Sequence, residues 1–263
     1  MYKSAPQTNV YDLISLLQRT KKILFWSIII LSVLTSSKTA GWLTPSELIS
    51  DLISMFHIVS ILGFTTISII IDYLLIPNGQ KTTRNDFFDH SFGTKYIVHK
   101  NSEEYYTNQE LPNGFYKMSV NLFESVFFTY SLACGMRLKR IFTTSVLLLV
   151  LIPLLYYGIK NTSFIFITLI QTLVSAYFLG GLIRLIIFAN RNELLFNELS
   201  NKFSINDFKQ KIDEYSIPII KIYTDYETNK AWSNILIDSK LYNKMNKELS
   251  QKWIEIKKKY NIS

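Results

Sequence analysis

The sequence predicts an all-α polytopic membrane protein, with four transmembrane helices in two hairpins and a mostly helical cytosolic portion. The first observation is that residues 52–71 contain no charged side chain, and about 20 helical residues cross a hydrocarbon core. Second, long apolar runs alternate with Lys-, Asn- and Glu-rich blocks, so the mean hydropathy of +0.16 is an average over strongly apolar and strongly polar segments. Third, Lys and Arg cluster on one side of the apolar runs, as they do at the cytosolic ends of membrane spans.

The composition narrows the classes of function. The chain has 263 residues, a formal net charge of +8 and a pI near 9.3. In a soluble domain this positive excess would indicate nucleic acid, but basic residues beside the spans explain it without a nucleic-acid polymer as partner. The single cysteine, Cys134, excludes an intrachain disulfide and a zinc site built from cysteines. We expect neither a metal nor a cofactor.

Residues 1–22 are predicted to form an amphipathic cytosolic lead-in on the membrane surface, because basic residues accompany a few apolar ones at helical spacing. The first transmembrane hairpin is predicted over residues 23–76. Lys38 and Trp42 suit the far interface, where a long cationic side chain snorkels and an indole ring is favoured. Pro45 suits the first turn of the second helix, so the loop between the two helices is short.

Five polar side chains fall within one narrow sector of the second helix at 3.6 residues per turn: Ser54, His57, Thr65, Ser68 and Asp72. A polar sector of a membrane helix faces protein or water rather than lipid. We interpret this sector as one wall of an intramembrane polar path, such as a pore lining, or as a packed interface. A hydrogen-bonded packing role for His57 and a solvated or paired Asp72 are the simpler explanations.

Residues 77–140 are predicted to form a cytosolic insert. Pro77-Asn78-Gly79 marks its beginning, and Asn85 or Asp86 is expected to cap a helix over residues 84–91. Such a solvated helix start also explains the nearby acidic residues and histidine better than a metal site does.

Two further parts of the insert carry local signals. Residues 96–98 allow a short strand. Residues 115–136 are predicted to form a helix that is interfacial or packed in a bundle, because Lys117, Asn121 and Glu124 are costly at membrane depth. A further span is the alternative.

The second transmembrane hairpin is predicted over residues 141–189, with Pro153 as a kink that neighbouring helices make tolerable. Residues 190–263 are predicted to form a cytosolic helical tail that breaks at Ile217-Pro218 and again near Asp238-Ser239. Its last helix carries an apolar stripe of Leu249, Trp253 and Ile256. The basic clusters place both termini and the insert on the cytosolic side.

Basic and aromatic residues are interleaved in the insert, a mixture that suits stacking on bases and neutralising phosphates: Lys95, Tyr96, His99, Lys100, Tyr105, Tyr106, Tyr116 and Lys117. A solvated cytosolic surface has the same composition, so nucleotide binding is one of two interpretations. The sequence has no Gly-rich phosphate loop, no nucleophile elbow and no pair of histidines at metal-ligand spacing. We therefore do not expect an enzyme.

The arrangement of segments resembles that of a known family. Two tight hairpins flank an insert that contains RNDFFDHSFGT and EEYYTNQELPNGFYKMSVNLFESVFF, and the tail contains YETNKAWSNILID and KMNKELSQKW. In these features the chain is similar to the SMODS-associating four-transmembrane effectors of bacterial antiphage (CBASS-like) systems. The resemblance covers nearly the whole chain and lies in layout and loose patterns, so no binding motif transfers residue by residue.

The resemblance implies a function and a location. In such systems a cyclase-like enzyme makes a cyclic oligonucleotide, and the cytosolic part of the effector binds it. The effector then oligomerises or opens, the inner membrane is permeabilised, and growth arrest or death of the infected cell follows. The implied partners are the cyclic oligonucleotide, the lipid bilayer and further copies of the chain. The implied location is the bacterial inner membrane, crossed several times, with both termini cytoplasmic.

Two other functions fit the pattern of spans. A small ion channel or transporter without a nucleotide trigger predicts matching interrupted helices in both hairpins, whereas Pro153 interrupts one hairpin alone. A membrane scaffold would instead dock a soluble partner through the charged helical tail. Toxicity that survives deletion of residues 190–263 would argue against the scaffold.

Overall fold

The computed structural model describes residues 8–39, 45–97, 108–160 and 165–262. Within these ranges the fold is all-α, as predicted, and no strand is present. A π-helical segment, Ile70–Leu75, joins the second α-helix to the third. The α-helices are α1 (Thr8–Thr39), α2 (Glu47–Ile69), α3 (Ile76–Phe92), α4 (Phe115–Lys160), α5 (Ile165–Phe203), α6 (Ser216–Ser233) and α7 (Ser239–Lys259).

The described residues form two compact units. We call residues 8–79 and 144–179 the hairpin unit, and residues 80–143 and 180–262 the aromatic unit. The boundaries fall inside α3, α4 and α5, so each of these helices contributes residues to both units. Which segments lie in the membrane and which in the cytosol stays a prediction.

In the hairpin unit, α1 packs against α2. Phe25 of α1 is buried, and its ring centroid lies 6.3 Å from that of Phe64 and 4.5 Å from that of Phe178. Gly63 of α2 permits the close approach of the two helices, because a Cβ atom there would lie 3.2 Å from Leu24 Cδ1. Small residues at helix contacts serve this purpose in membrane helices.

One helical stretch among the described residues, Glu47–Phe92, is long and apolar enough to span a membrane. Just 11% of its most apolar part is buried inside the structure. The prediction of a helix suited to a bilayer is therefore met, whereas the arrangement of four spans stays a prediction.

The helix does not end at Pro77-Asn78-Gly79, contrary to the prediction. α3 begins at Ile76, directly after the π-helical segment. A π turn is wider than an α turn and relaxes the regular hydrogen-bond ladder, so it accommodates a proline without breaking the helix. The predicted cap at Asn85 or Asp86 is also wrong, because α3 is already helical from Ile76 and continues through both residues. Asp86 lies inside α3, buried, with its Oδ1 3.7 Å from His90 Nε2.

Residues 93–97 have no regular secondary structure, so the strand considered at residues 96–98 is not formed over its described part, and Val98 lies outside the described residues. Asp89 explains this conformation. Its carboxylate accepts hydrogen bonds from the backbone N–H groups of Tyr96 at 2.8 Å and Ile97 at 3.0 Å. A side chain thereby satisfies the groups that a neighbouring strand would otherwise satisfy.

A single helix, α4, runs through the helix predicted over residues 115–136 and into the second hairpin predicted over residues 141–189. The charged residues between them are good helix formers and do not require a break. One of them, Lys139, pairs with Asp238 at 3.3 Å. The first part of α4 is packed in the core of the aromatic unit, where Phe123 is fully buried.

The tail breaks earlier than predicted. α5 ends at Phe203 and α6 begins at Ser216, so Pro218 lies in the first turn of α6, where its missing amide hydrogen costs nothing. The predicted boundary at Asp238 is confirmed. The Asp238 carboxylate caps α7 by accepting hydrogen bonds from the backbone N–H groups of Lys240 at 2.9 Å and Leu241 at 3.3 Å.

The core of the aromatic unit is organised around Phe123 of α4. Its ring stacks on Phe203 of α5 at 5.0 Å and meets Trp253 of α7 edge-on at 5.6 Å. Leu249 and Trp253 are buried, and Ile256 packs against the same core. The predicted apolar stripe of the last helix is therefore confirmed.

Candidate functional site

The interior of the hairpin unit is polar where α1 meets α2. Ser32 Oγ lies 3.1 Å from His57 Nε2, and the two residues are 3% and 6% exposed. Ser50 and Ser60 of α2 are also buried. They stand seven residues before and three residues after His57, so all three lie on one face of α2. The contact between the two helices thus contains hydrogen-bonding groups as well as aromatic rings.

The opposite side of α2 is apolar and exposed. The exposed large side chains of this helix are Leu48, Ile49, Leu52, Met55, Phe56, Ile58, Val59, Leu62 and Ile69. A water-soluble helix shows the reverse distribution, with its apolar stripe against the core. An exposed apolar surface of this extent marks an interaction with a membrane or another protein.

The structure brings only part of the predicted polar sector into this interior. His57 is buried, Ser68 and Asp72 are half-buried, and Ser54 and Thr65 are exposed. The three residues of this sector that carry hydroxyl groups donate to carbonyl oxygens of their own helix: Ser54 to Ser50 at 3.0 Å, Thr65 to Ile61 at 2.9 Å and Ser68 to Phe64 at 2.7 Å. Helix periodicity alone could have indicated Ser50 and Ser60, which the sequence analysis missed.

A second polar site lies inside the aromatic unit. Asn108 Nδ2 donates to Asn121 Oδ1 at 3.0 Å and to Glu124 Oε2 at 2.7 Å. Asn121 Nδ2 in turn donates to Ser91 Oγ at 3.2 Å, and Lys257 Nζ donates to Asn108 Oδ1 at 3.3 Å. We call these five residues the asparagine network. It connects α3, the segment before α4, α4 itself and α7.

Glu110 joins the asparagine network at its exposed end. Lys257 Nζ also donates to Glu110 Oε1, at 3.2 Å. Partial burial by itself raises the pKa of Glu110, but hydrogen bonds from its backbone N–H and from Lys257, with the positive charges of Lys257 and Lys117, outweigh burial and leave the pKa below its ordinary value. Glu110 is therefore ionised at neutral pH and holds Lys257 beside Asn108.

The predicted nucleotide-binding residues do not form one described site. Lys95 and Tyr96 are exposed after α3. Tyr116 is buried, and Lys117 is buried with its Nζ donating to Asn113 Oδ1 at 3.2 Å. The remaining four lie outside the described residues: His99, Lys100, Tyr105 and Tyr106.

Tyr116 contributes to the aromatic core rather than to an open stacking surface. Its ring centroid lies 6.4 Å from those of Phe203 and Phe208, and Lys209 Nζ lies over it at 5.2 Å. Lys209, on the segment between α5 and α6, was not among the predicted residues. No sequence signal distinguishes it from other lysines, because its position depends on the packing of distant helices.

Metal chemistry has no described site here. Among the described residues, no group of three or more His, Cys, Asp or Glu side chains is placed to hold a metal ion. Comparisons with protein-family models, curated proteins and solved structures found no match to this chain. The two polar sites and the surfaces around them are therefore the features of the described residues that bear on function.

Proposed function

We propose that the protein is a membrane effector that permeabilises the bacterial inner membrane when its cytosolic part binds a nucleotide signal. The observation that carries this proposal is the inverted polarity of the hairpin unit. Ser32 and His57 meet inside the α1–α2 contact and two further serines of α2 are buried, while large apolar side chains of α2 point outward. Exposing a Leu or Phe side chain to water rather than to an apolar medium costs about 1.5–3 kcal/mol. A bilayer removes this cost and makes the buried polar contacts favourable.

The membrane topology that we propose is based on the distribution of Lys and Arg along the sequence. Four spans cross the membrane in two hairpins, and both termini and the insert lie in the cytosol. Four helices of one subunit enclose too little space for a wide pore, so the active form is a homo-oligomer. Reporter fusions at each terminus and within the insert test this topology, and a periplasmic signal from the insert would contradict it.

The proposed trigger is a cyclic oligonucleotide, the ligand class that the resemblance implies. Two features support a regulatory role for the aromatic unit. It is a compact unit with its own core, and its asparagine network joins the segment before α4 to α7. α4 continues from Phe115 to Lys160 and contributes to both units. A change at the network can therefore act on a helix that belongs to the hairpin unit as well.

A dye-release experiment tests the proposal. The full chain is reconstituted into anionic vesicles, and release of an entrapped dye is followed with and without a set of cyclic di- and trinucleotides. We expect release that requires one of these ligands. Release by inserted protein without any nucleotide would contradict the trigger and favour the ion channel or transporter. No release with every ligand, from protein shown to be inserted, would contradict the effector function.

Matched variants connect the release to the polar interior. We expect His57→Leu and Asp72→Ala to change the rate of release at least about threefold without lowering the inserted fraction, because each alters the polar sector of this span. Thr66→Ala is the control, since Thr66 is exposed on the other side of α2. Unchanged release in both variants would remove this sector from the permeation path.

A further inference from the structure

Three lysines of the aromatic unit each lie over the ring of a different tyrosine. Lys202 Nζ lies 5.4 Å from the ring centroid of Tyr215. Lys209 Nζ lies 5.2 Å from that of Tyr116, and Lys259 Nζ lies 5.1 Å from that of Tyr260. The three lysines come from the end of α5, the segment after it and the end of α7.

The three tyrosine rings are connected through Phe203 and Phe208. The Phe203 ring lies 6.4 Å from both Tyr116 and Tyr260, and 4.9 Å from Phe208. Phe208 in turn lies 5.3 Å from Tyr215. Because Phe203 and Phe208 are buried core residues, the rings under the lysines are fixed by the core of the unit.

Two of these lysines, Lys202 and Lys259, carry charges without an acidic partner in the described part of the chain. Asp207, on the segment between α5 and α6, pairs with Lys211 at 3.6 Å. Ammonium groups held over aromatic rings lose less side-chain freedom when an anion binds, which favours these lysines as ligands of negatively charged groups.

We propose that Lys202, Lys209 and Lys259 bind a soluble ligand that carries several phosphate groups. Lysine ammonium groups bind phosphate oxygens as compact point charges. A lipid surface fits less well, since the Phe203 and Phe208 rings beside the lysines are buried and are not available for insertion into a bilayer. The idea that this ligand is the trigger rests on the proposed function. The ligand would contact Lys259, which is two residues from Lys257 of the asparagine network.

Direct binding to the full chain in a non-ionic detergent tests the site without any membrane readout. The probes are inorganic tripolyphosphate and a cyclic triadenylate, measured by calorimetry at low and high salt. The test variant is the triple change Lys202→Gln, Lys209→Gln and Lys259→Gln. The control variant removes the same charge from exposed lysines that lie over no ring: Lys221→Gln, Lys240→Gln and Lys244→Gln.

We expect both probes to bind the wild type and the control variant with similar Kd values, and the test variant about tenfold or more weakly. Equal weakening in both triple variants would show a general effect of net charge and overturn the site. The site would also be overturned if neither probe binds the wild type. The same holds if the wild-type protein binds vesicles that contain phosphatidylserine but binds neither probe. Lys259→Gln alone, expected to weaken binding severalfold, keeps the test valid if the triple variant does not fold.

The two proposals fail separately. Probe binding that depends on the three lysines, together with intact vesicles, would keep this site and contradict permeabilisation. Dye release that persists in the test variant at wild-type ligand concentrations would keep permeabilisation and contradict this site.

Discussion

Ser32 Oγ and His57 Nε2 lie 3.1 Å apart where α1 packs against α2, and both side chains are buried. The exposed side of the same α2 helix carries Phe56, Val59 and Leu62. A hydrogen bond inside and apolar side chains outside are what a helix pair requires when its surroundings offer no hydrogen bonds.

The first prediction concerns this hydrogen bond. Ser32→Ala and His57→Leu are each expected to destabilise the folded protein, and the double variant to cost less than their sum, with a coupling of about 0.5–1.5 kcal/mol. Unfolding in detergent micelles provides the measurement. Ser54→Ala is the control, because the Ser54 hydroxyl is exposed and bonds only within its own helix in the described contacts. Strict additivity of the two single variants would contradict the contact.

The second prediction concerns the core of the aromatic unit. Trp253 is 1% exposed and Trp232 is 46% exposed. Trp253→Ala should cost about 3–5 kcal/mol of unfolding free energy, because it leaves a cavity beside Phe123. Trp232→Ala should cost about 0.5–1 kcal/mol, chiefly its contact with Arg191. Circular dichroism during denaturation measures both. Similar costs for the two tryptophans would show that α7 is not packed as described.

The third prediction concerns Asn108. Asn108→Ala leaves Asn121, Glu124 and Lys257 without a shared partner, and should cost about 1–3 kcal/mol. Gln109→Ala, at the exposed neighbouring position, should cost less than about 0.5 kcal/mol. Proteolysis in the segment before α4 should also become faster in the first variant alone. Equal behaviour of the two variants would argue against the asparagine network.

The fourth prediction concerns the pH dependence of the α7 cap. Burial by itself raises the pKa of Asp238, but hydrogen bonds from the backbone N–H groups of Leu241 and Lys240, and the side chain of Lys139, lower it below the ordinary 3.8. A group whose pKa is lowered on folding stabilises the protein above its unfolded pKa, and this stabilisation is lost as the pH falls through the folded pKa.

Asp238→Ala should therefore cost about 0.5–2 kcal/mol at neutral pH, and the difference from wild type should shrink below about pH 4. Asp238→Asn keeps an oxygen acceptor without a titratable charge, so its stability relative to the alanine variant should not depend on pH in this range. Thermal unfolding across the acid range measures both variants. A cost of Asp238→Ala that stays constant on acidification would contradict the charged cap.

Local signals in the sequence were sufficient for the all-α class and for the last helix. The Asp238 cap and the stripe of Leu249, Trp253 and Ile256 follow from side-chain chemistry at fixed spacing. The signals at Pro77 and Asp86 misled, because a proline after a π turn and a buried aspartate near a histidine are compatible with a continuous helix. The sequence does not contain a pattern that predicts a π turn.

The residues of the candidate sites could be predicted from the sequence only where their positions do not depend on tertiary packing. The sequence indicates His57 because a polar residue interrupts an apolar run there. Ser32, its partner, comes from another helix and could not be assigned from spacing. Tyr116 and Lys117 show the converse, since a basic and aromatic pair that suited a ligand surface is buried in the core. Which lysines lie over tyrosine rings is decided by contacts between α5, the segment after it and α7.

Residue-by-residue accessibility of α2 in vesicles tests the central claim most directly. Nitroxide labels are placed singly at Phe56, Val59, Leu62 and Ser60 in a Cys134→Ser background, and their collisions with oxygen and with a water-soluble nickel chelate are compared. We predict that the first three positions favour oxygen, as lipid-exposed sites do, and that Ser60 is shielded from both reagents. High accessibility of the first three positions to the nickel chelate would place this face in water and contradict the account.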